Sequence, residues 1–325
     1  MSHEPAGWAL GLDTSFYTTS AAAVDLSGRL LAAQRALLPV PRGERGLRPQ
    51  EGVFLHVQAL PDLLAKVLEE VRQTGAPARP RAVAASVRPL PQPESYLPVF
   101  RVSEGFGRSL AAAWQVPFLG TTHQEGHLMA GVWSAGMPLD ESFVAVHLSG
   151  GTTEFLDAVP TPGGFSLRRL GEAKDLHVGQ FIDRIGVALG LPFPAGPSLE
   201  ALAAEGTPGP AVIPSHAEDA SLSFSGPEAC ALRLLAQGVR PADLACGVQV
   251  CVARSVEKAL RWSLRSTGRR RALVVGGVAA NGFLRRELAD RIGEGLEAEL
   301  YFAKPELSTD NAVGVALLGR AAVPS

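Results

Sequence analysis

Apolar residues along the chain fall into two patterns, one typical of buried strands and one typical of helices. Short apolar runs bounded by small or polar residues predict strands at 8–13, 19–25, 82–86, 115–120, 143–148, 154–159, 272–278 and 299–302. Longer segments with apolar positions at helical spacing predict helices at 50–74, 102–114, 178–191, 198–205, 228–237, 241–267, 282–294 and 310–321. Because strands and helices alternate, we expect an α/β protein.

One unit of this pattern occurs twice. Residues 8–25 predict a strand, a small polar turn and a returning strand, and residues 143–159 predict the same arrangement. The repeat predicts a duplicated fold with a cleft between its halves. We predict a first domain over 8–125 and a second over 126–325, with the last helix near 310–321 packing back toward the first.

Composition narrows the class of protein. The chain has 325 residues, of which 46% are hydrophobic, and a net charge of −2, so we expect a globular protein without a global basic field. It has neither an apolar run long enough for a membrane span nor a signal-peptide pattern, and its three cysteines form no CxxC pair. These features predict a cytoplasmic protein without membrane association. The cluster of Arg265 with residues 269–271 is interpreted either as a solvated surface or as a contact for tRNA phosphates.

Two histidines suggest metal chemistry. His123 and His127 are four residues apart, which places them on one face of a helix at a separation of about 6 Å. That separation suits two imidazoles that share a metal ion. A solvated helix face has the same spacing, so the pair alone leaves both interpretations open.

Small-residue turns suggest anion binding. The Ser149–Gly151 turn can offer backbone amides and a hydroxyl to a phosphate, and Thr14 and Ser15 occupy the equivalent place in the first half. Asn281 follows a glycine pair that ends a buried strand, where a planar base or a ribose can approach the backbone. Ordinary hairpins and strand-to-helix turns have the same composition.

Taken together, the motifs resemble one family over nearly the whole chain, in order and in spacing. This is the TsaD family of tRNA N6-threonylcarbamoyladenosine synthases, formerly labelled glycoprotein endopeptidases, within the superfamily of actin, heat-shock chaperone ATPases and sugar kinases. The segments that match are 12–15, 107–110 with Trp114, 123–127, 148–151, 181–184, 193–197, 223–226, 276–281 and 308–311.

The resemblance implies a duplicated actin-like α/β fold whose cleft holds a nucleotide and one divalent metal, iron or zinc. It implies that His123, His127 and Asp310 are the metal ligands. It further implies a site for ATP or threonylcarbamoyl-adenylate, which in our assignment comprises Leu148, Ser149, Gly150, Gly151, Thr152, Asp183, Gly196, Asn281, Thr14 and Ser15. The expected reaction transfers the threonylcarbamoyl group to N6 of adenosine 37 in tRNA. A dimerising homologue and a small ATPase are the expected protein partners.

The chain departs from the family pattern at several loops. Tyr17 and Thr18 stand where an acidic pair is usual, and Thr152 stands where His or Asn is usual. Residues 88–93 replace a Gly-Pro-Gly-Leu loop, and Glu228 falls near an expected lysine. Three functions therefore remain open: the family transferase, a metal- and nucleotide-binding paralogue that uses another acceptor or supports a true family enzyme, and a metallopeptidase. The last would need Glu125 as general base, although this Glu does not directly follow the first His as in H-E-x-x-H.

Overall fold

The computed structural model describes residues 7–15, 17–40, 47–293 and 297–323, and these residues form alternating strands and helices. The strands are β1 (Trp8–Ser15), β2 (Thr18–Asp25), β3 (Leu30–Leu37), β4 (Ala82–Arg88), β5 (Phe118–Thr122), β6 (Phe143–Leu148), β7 (Thr153–Thr161), β8 (Gly164–Glu172), β9 (Ala217–Glu218), β10 (Ser221–Leu222), β11 (Arg271–Val275) and β12 (Glu299–Phe302). The helices are α1 (Pro49–Gln73), α2 (Phe100–Trp114), α3 (His123–Ala135), α4 (Val178–Ala188), α5 (Gly196–Ala203), α6 (Ser225–Ala236), α7 (Pro241–Thr267), α8 (Gly282–Gly293) and α9 (Val313–Gly319).

The chain divides into two compact units. The first comprises Met1–Ser134, Thr161–Phe165 and Thr309–Ser325, and the second comprises Ala135–Pro160 and Ser166–Ser308. The boundary between compact units need not coincide with the boundary between duplicated halves. The predicted domains 8–125 and 126–325 therefore stay a prediction.

The first unit is built on a five-stranded sheet in the order β3-β2-β1-β4-β5. Strands β1, β4 and β5 are parallel, and β2 and β3 continue the sheet antiparallel to β1. Strand β1 is buried along its whole length, as expected for a strand covered on both faces. Helices α1 and α2 contribute Leu60, Leu64 and Val102 to the core on one face.

Helix α9 packs on the same sheet. A Cβ atom added at Gly11 of β1 would lie 2.3 Å from the backbone nitrogen of Ala316, so only glycine allows this close approach. The segment that carries Asp310 therefore enters the first unit directly before a helix that packs against β1.

The second unit has its own five-stranded sheet in the order β12-β11-β6-β7-β8, with β6, β11 and β12 parallel. Helix α7 is its longest helix among the described residues and packs into a core with Val146, Phe155 and Phe181. The two sheets repeat one pattern, an antiparallel hairpin joined to parallel strands. This repetition agrees with the predicted duplication.

Several predicted element boundaries were wrong, each for a local reason. The strand predicted at 115–120 begins only at Phe118, because Gln115 ends α2 in a left-handed conformation (φ 56°) and Pro117 follows. The strand predicted at 272–278 ends at Val275, because Gly276 takes φ 96° and a short 3-10 helix follows. The last helix begins at Val313 rather than 310, because the Asn311 side chain accepts from the Val313 amide. The predicted helix end at Glu294 lies outside the described residues.

Within the described part of the chain, no helix is both long enough and apolar enough to cross a membrane.

Candidate metal centre and substrate residues

The parallel strands of the first unit end at one edge of the sheet, where polar side chains gather. Strand β1 ends with Asp13 and Ser15, β4 carries Ser86 near its end, and β5 runs directly into His123 at the start of α3. The carboxyl ends of parallel strands are the usual place for ligands in α/β sheets. The parallel packing of these strands therefore brings residues that are far apart in the chain together at this edge.

His123, His127 and Asp310 form a tight triangle at this edge. The Nε2 atoms of the two histidines are 3.1 Å apart, and Asp310 Oδ1 lies 3.1 Å from His127 Nε2 and 3.4 Å from His123 Nε2. Two atoms that bind one metal tetrahedrally at about 2.0–2.1 Å are themselves about 3.3–3.4 Å apart. The donor atoms and their separations fit one divalent ion. Among the described residues, these are the His, Cys, Asp and Glu side chains whose ligand atoms lie close enough together, within 4.8 Å of one another, to hold one metal ion.

The first two ligand candidates follow from helix geometry, and the third comes from a remote segment. Helix α3 holds the imidazoles in contact at a ring separation of 4.5 Å, and His127 is only 5% exposed. Asp310 comes from the turn before α9, and the Ser15 hydroxyl donates to its second oxygen at 2.7 Å. Two nitrogens and one oxygen suit both zinc and iron, so the donor set does not select between them.

A buried carboxylate stands behind His123. Asp13 is fully buried, and its Oδ1 lies 2.9 Å from His123 Nδ1 and accepts a hydrogen bond from the Ser86 hydroxyl. Asp13 lies in the matching segment 12–15, but no role was predicted for it. Its position at the end of a buried strand, beside small polar residues, was the only signal available.

The electrostatics of the cluster favour positive charge. Burial lowers the pKa of His123, but Asp13 and Asp310 outweigh this effect and raise it to about 10. Burial raises the pKa of Asp310, but hydrogen bonds and charge from His123 and His127 hold it well below its usual range. Two carboxylates around two imidazoles thus create a place for a cation, which is what a divalent metal would supply.

Glu125 is engaged elsewhere. Its Oε2 accepts from the Thr122 amide at 3.0 Å and from the hydroxyls of Thr121 and Thr122 at 3.1 and 2.8 Å. Its Oε1 accepts from the Phe165 amide at 3.2 Å. The carboxylate therefore joins the start of α3 to the Thr161–Phe165 segment, which is a structural role.

Thr14 points away from the metal candidates. It is fully buried, and its hydroxyl lies 2.8 Å from both the Val99 carbonyl and the Ser103 hydroxyl, while the Ser103 amide donates to it. Alternation along β1 puts Thr14 on the opposite face from Asp13 and Ser15. The side chain is used within the protein, and its predicted part in nucleotide binding stays a prediction.

In the second unit, the turn between β6 and β7 is held by its own serine. Ser149 Oγ accepts from the amides of Gly151 and Thr152 at 3.2 and 2.9 Å, and Leu148 is fully buried before it. A Cβ at Gly150 or Gly151 would meet nothing within 4 Å, so the tip of the turn is open. This geometry leaves space for a ligand beside the turn.

Gly179 lies under this turn and was missed by sequence analysis. Its amide donates to the Ser149 carbonyl at 3.2 Å, and an added Cβ would lie 2.7 Å from the backbone nitrogen of Gly150. Glycine at the second residue of α4 therefore lets the helix approach the turn backbone. No periodicity in the sequence points to such a contact.

Asp183, Gly196 and Asn281 occupy local structural positions in the same unit. Asp183 Oδ1 accepts from the Ala195 amide at 2.7 Å, which holds the turn where Gly196 begins α5. Burial raises the pKa of Asp183 despite the opposing effect of the Ala195 and Gly196 amides. Asn281 Oδ1 accepts from the Leu284 amide at 2.8 Å and so caps α8. Their predicted roles in nucleotide binding stay predictions.

The basic cluster is partly neutralised by carboxylates. Arg269 pairs with Asp157 at 2.8 Å, and Arg271 pairs with Asp140 and with Glu299. Such pairing weakens the local positive potential and favours the interpretation as a solvated surface. A tRNA contact here stays a prediction.

The substituted positions have ordinary surroundings. Thr18 is 5% exposed, and Tyr17 is 36% exposed. Thr152 contributes its amide to the Ser149 turn, and Glu228 pairs with Arg184 at 3.3 Å on the surface. None of them brings a carboxylate to the place where the family has its acidic pair.

Comparison with solved structures agrees with the architecture. The chain superposes on (R)-2-hydroxyglutaryl-CoA dehydratase component A from Acidaminococcus fermentans with a TM-score of 0.57, at 16% identity over 97% of this chain and 98% of that one. It superposes on a ROK family glucokinase from Streptomyces griseus with a TM-score of 0.52, at 16% identity over 97% and 99%. These likenesses show the fold alone. They confirm the predicted α/β fold of the actin, chaperone ATPase and sugar kinase class.

Comparison of sequences identifies the family. The chain is 34% identical to the tRNA N6-adenosine threonylcarbamoyltransferase of Prochlorococcus marinus (strain MIT 9313), over 97% of this chain and 89% of that protein. The family model described as TsaD, tRNA N6-adenosine threonylcarbamoyltransferase, matches residues 34–317. The chain therefore belongs to the TsaD family.

Proposed function

We propose that this protein transfers a threonylcarbamoyl group from its adenylate to N6 of adenosine 37 in tRNA. Family membership supports a transferase that acts on tRNA. The observation that carries the finer proposal is the triangle of His123, His127 and Asp310, because it offers three ligands to a single ion at appropriate separations.

The metal would be held by these three side chains, and when bound it would act as a Lewis acid that polarises and orients substrate oxygens. The protein contributes the arrangement around it. Asp13 holds the His123 ring through Nδ1, and Ser15 holds the second oxygen of Asp310. With these bonds in place, the ligand atoms need little reorganisation on metal binding.

We further propose that the nucleotide part of the substrate binds at the Ser149–Gly151 turn of the second unit. The turn is fixed by the Ser149 hydroxyl and has an open tip. Small residues there let phosphate oxygens approach the backbone of the turn closely. Asp183 lies partly buried beside the start of α5, where its carboxylate can accept from ribose hydroxyls.

The experiment that tests the proposal is depletion of the protein in its host, followed by mass spectrometry of nucleosides from bulk tRNA. We expect N6-threonylcarbamoyladenosine to fall and to return on complementation with the wild-type protein or with His216→Ala, which changes an exposed histidine. His127→Ala should fail to restore it. An unchanged level after depletion would overturn the proposal.

A second function is favoured by one observation, the lack of the acidic pair. Thr18 is buried and Tyr17 cannot replace a carboxylate, so a paralogue that uses another acceptor, or that supports a true family enzyme, remains a distinct candidate. It predicts that metal and nucleotide bind while the tRNA modification is unaffected by depletion. A dimerising homologue and a small ATPase stay predicted partners.

The metallopeptidase candidate loses its general base. Within the described residues, Thr121, Thr122 and Phe165 donate hydrogen bonds to Glu125, and both of its oxygens are engaged. A general base needs an oxygen within reach of the water that it deprotonates. The structure therefore favours transfer chemistry over peptide hydrolysis.

A further inference from the structure

We propose that Asp13 is a positioning residue for metal binding, which fixes both the orientation and the tautomer of His123. The inference rests on the proposed function in that it requires the His123, His127 and Asp310 cluster to bind a divalent metal. It adds Asp13 on β1, which would act through His123 on α3 rather than on the ion.

The geometry defines the direction of the hydrogen bond. Asp13 Oδ1 lies 2.9 Å from His123 Nδ1, and a carboxylate oxygen accepts. Nδ1 must therefore carry a proton, so Nε2, which lies toward His127 and Asp310, is the nitrogen that would bind a metal. Metal-bound histidines commonly donate their other ring nitrogen to a carboxylate, which raises their basicity and fixes the ring.

The carboxylate is arranged for this role rather than for a surface ion pair. Asp13 is 0% exposed, and within the described residues its side chain bonds to Ser86 and His123. Its Oδ2 is buried and has no hydrogen-bond partner in the described part of the chain. Burial of a charge with incomplete hydrogen bonding costs free energy, so a nearby compensating cation would stabilise it.

The alternation of side chains along β1 explains why this one strand contacts two of the candidate ligands. Side chains of β1 alternate between the faces of the sheet, so Asp13 and Ser15 share a face and Thr14 takes the other. Asp13 reaches His123 and Ser15 reaches Asp310, whereas Thr14 bonds to Ser103. The end of β1 thus orients two of the three candidate ligands without touching the ion itself.

The test compares Asp13→Asn with wild-type protein in titrations with Co²⁺, followed by visible absorption, and with Zn²⁺ in competition with a chromophoric chelator. We expect Asp13→Asn to weaken affinity by about 10- to 100-fold, as for other residues that hold metal-bound histidines. The amide is nearly isosteric but no longer restricts His123 to one tautomer. Asp25→Asn, which changes another buried carboxylate of the same sheet, should bind as wild type. Wild-type affinity in Asp13→Asn would overturn the proposal.

A measurement on the wild-type protein keeps the test independent of folding of the variant. In the zinc-loaded protein, ¹⁵N spectra of the imidazoles should show His123 protonated at Nδ1 and coordinated through Nε2. The reverse assignment would overturn the role of Asp13 while leaving the proposed function intact. If the wild-type protein binds neither Co²⁺ nor Zn²⁺, the metal in the proposed function fails, and this inference fails with it.

Discussion

The candidate metal centre of the first unit and the Ser149–Thr152 turn of the second are both built from polar residues, but those residues are used differently. In the candidate metal centre, the buried carboxylate of Asp13 and the partly exposed one of Asp310 converge on imidazoles whose Nε2 atoms are 3.1 Å apart. In the turn, the Ser149 hydroxyl accepts from the backbone of its own loop. The candidate metal centre brings ionisable side chains together, whereas the turn uses its serine to accept hydrogen bonds from its own backbone amides.

This difference indicates which side chains are placed to bind a metal or a nucleotide directly. Asp183 and Asn281 hold turns and helix starts in the second unit, so any contact with nucleotide must use their remaining atoms or nearby backbone. His123, His127 and Asp310 direct their polar atoms at one another, which is costly without a proton or a cation among them. A substitution at His123, His127 or Asp310 should therefore change metal binding, whereas one at the turn and cap residues of the second unit should first change stability.

The largest expected effect is on metal affinity. His127→Ala removes one of three ligands from the triangle, so we expect affinity for Co²⁺ or Zn²⁺ to fall by about 100-fold or more. Metal titration with absorption or chelator competition measures it, and His216→Ala serves as the control. Equal affinity in both variants would mean that the triangle is a buried hydrogen-bonded cluster without a metal.

Gly179→Ala should mainly reduce stability. Its Cβ would lie 2.7 Å from the backbone of Gly150 and 2.8 Å from the Ser149 carbonyl, and backbone atoms cannot move away easily. We expect the free energy of unfolding to fall by about 1–3 kcal/mol, as for overpacked sites. Urea denaturation measures it. Gly226→Ala, where a Cβ would have open space, should show no such loss, and similar values for the two would contradict the close approach.

Glu125→Gln should reduce stability without changing metal affinity. The amide keeps only one acceptor oxygen where the carboxylate uses both, so we expect the free energy of unfolding to fall by about 1–3 kcal/mol. Metal affinity should not change, since Glu125 does not contact the triangle. Denaturation and metal titration are run beside Glu94→Gln, an exposed control. Loss of metal binding without loss of stability would contradict the structural role assigned to Glu125.

The smallest expected effect depends on pH. Burial raises the pKa of Asp175, but hydrogen bonds from Ser223, Ser225 and the Phe224 amide outweigh it, so this pKa lies below its ordinary value. A lowered pKa contributes stability above the unfolded value of about 4, and the contribution is lost as pH falls through the folded pKa.

Asp175→Asn should therefore lower the free energy of unfolding at pH 7 by about 1 kcal/mol, the usual net contribution of a hydrogen bond. The difference from wild type should shrink below about pH 4. Urea denaturation at both pH values measures it, with the exposed Asp290→Asn as control. A difference that stays constant with pH would show that the charge of Asp175 is unimportant.

Much of the fold could be predicted from the sequence, because periodicity is a local signal. The spacing of apolar residues predicted the helix at 241–267 with the bounds that the structure has, and the repeated strand-turn-strand unit indicated the duplication. Boundaries failed where a single residue decided them, as at Gly276 with its positive φ and at the cap formed by Asn311. Such positions depend on backbone conformation rather than on the hydrophobic pattern.

The residues of the candidate site likewise divide into those that a local pattern predicts and those that depend on tertiary contacts. His123 and His127 could be paired from sequence alone because a helix fixes the distance between residues four apart. Asp310 could be added only through resemblance. Asp13 and Gly179 were missed, because each acts through a residue far away in the chain. Asp13 contacts His123, and Gly179 contacts Gly150. The sequence by itself determined most of the elements, the family and the pairing of His123 with His127 in the candidate metal centre. The tertiary structure alone decided which carboxylates converge on it, because packing of parallel strands, and not chain order, brings their ends together.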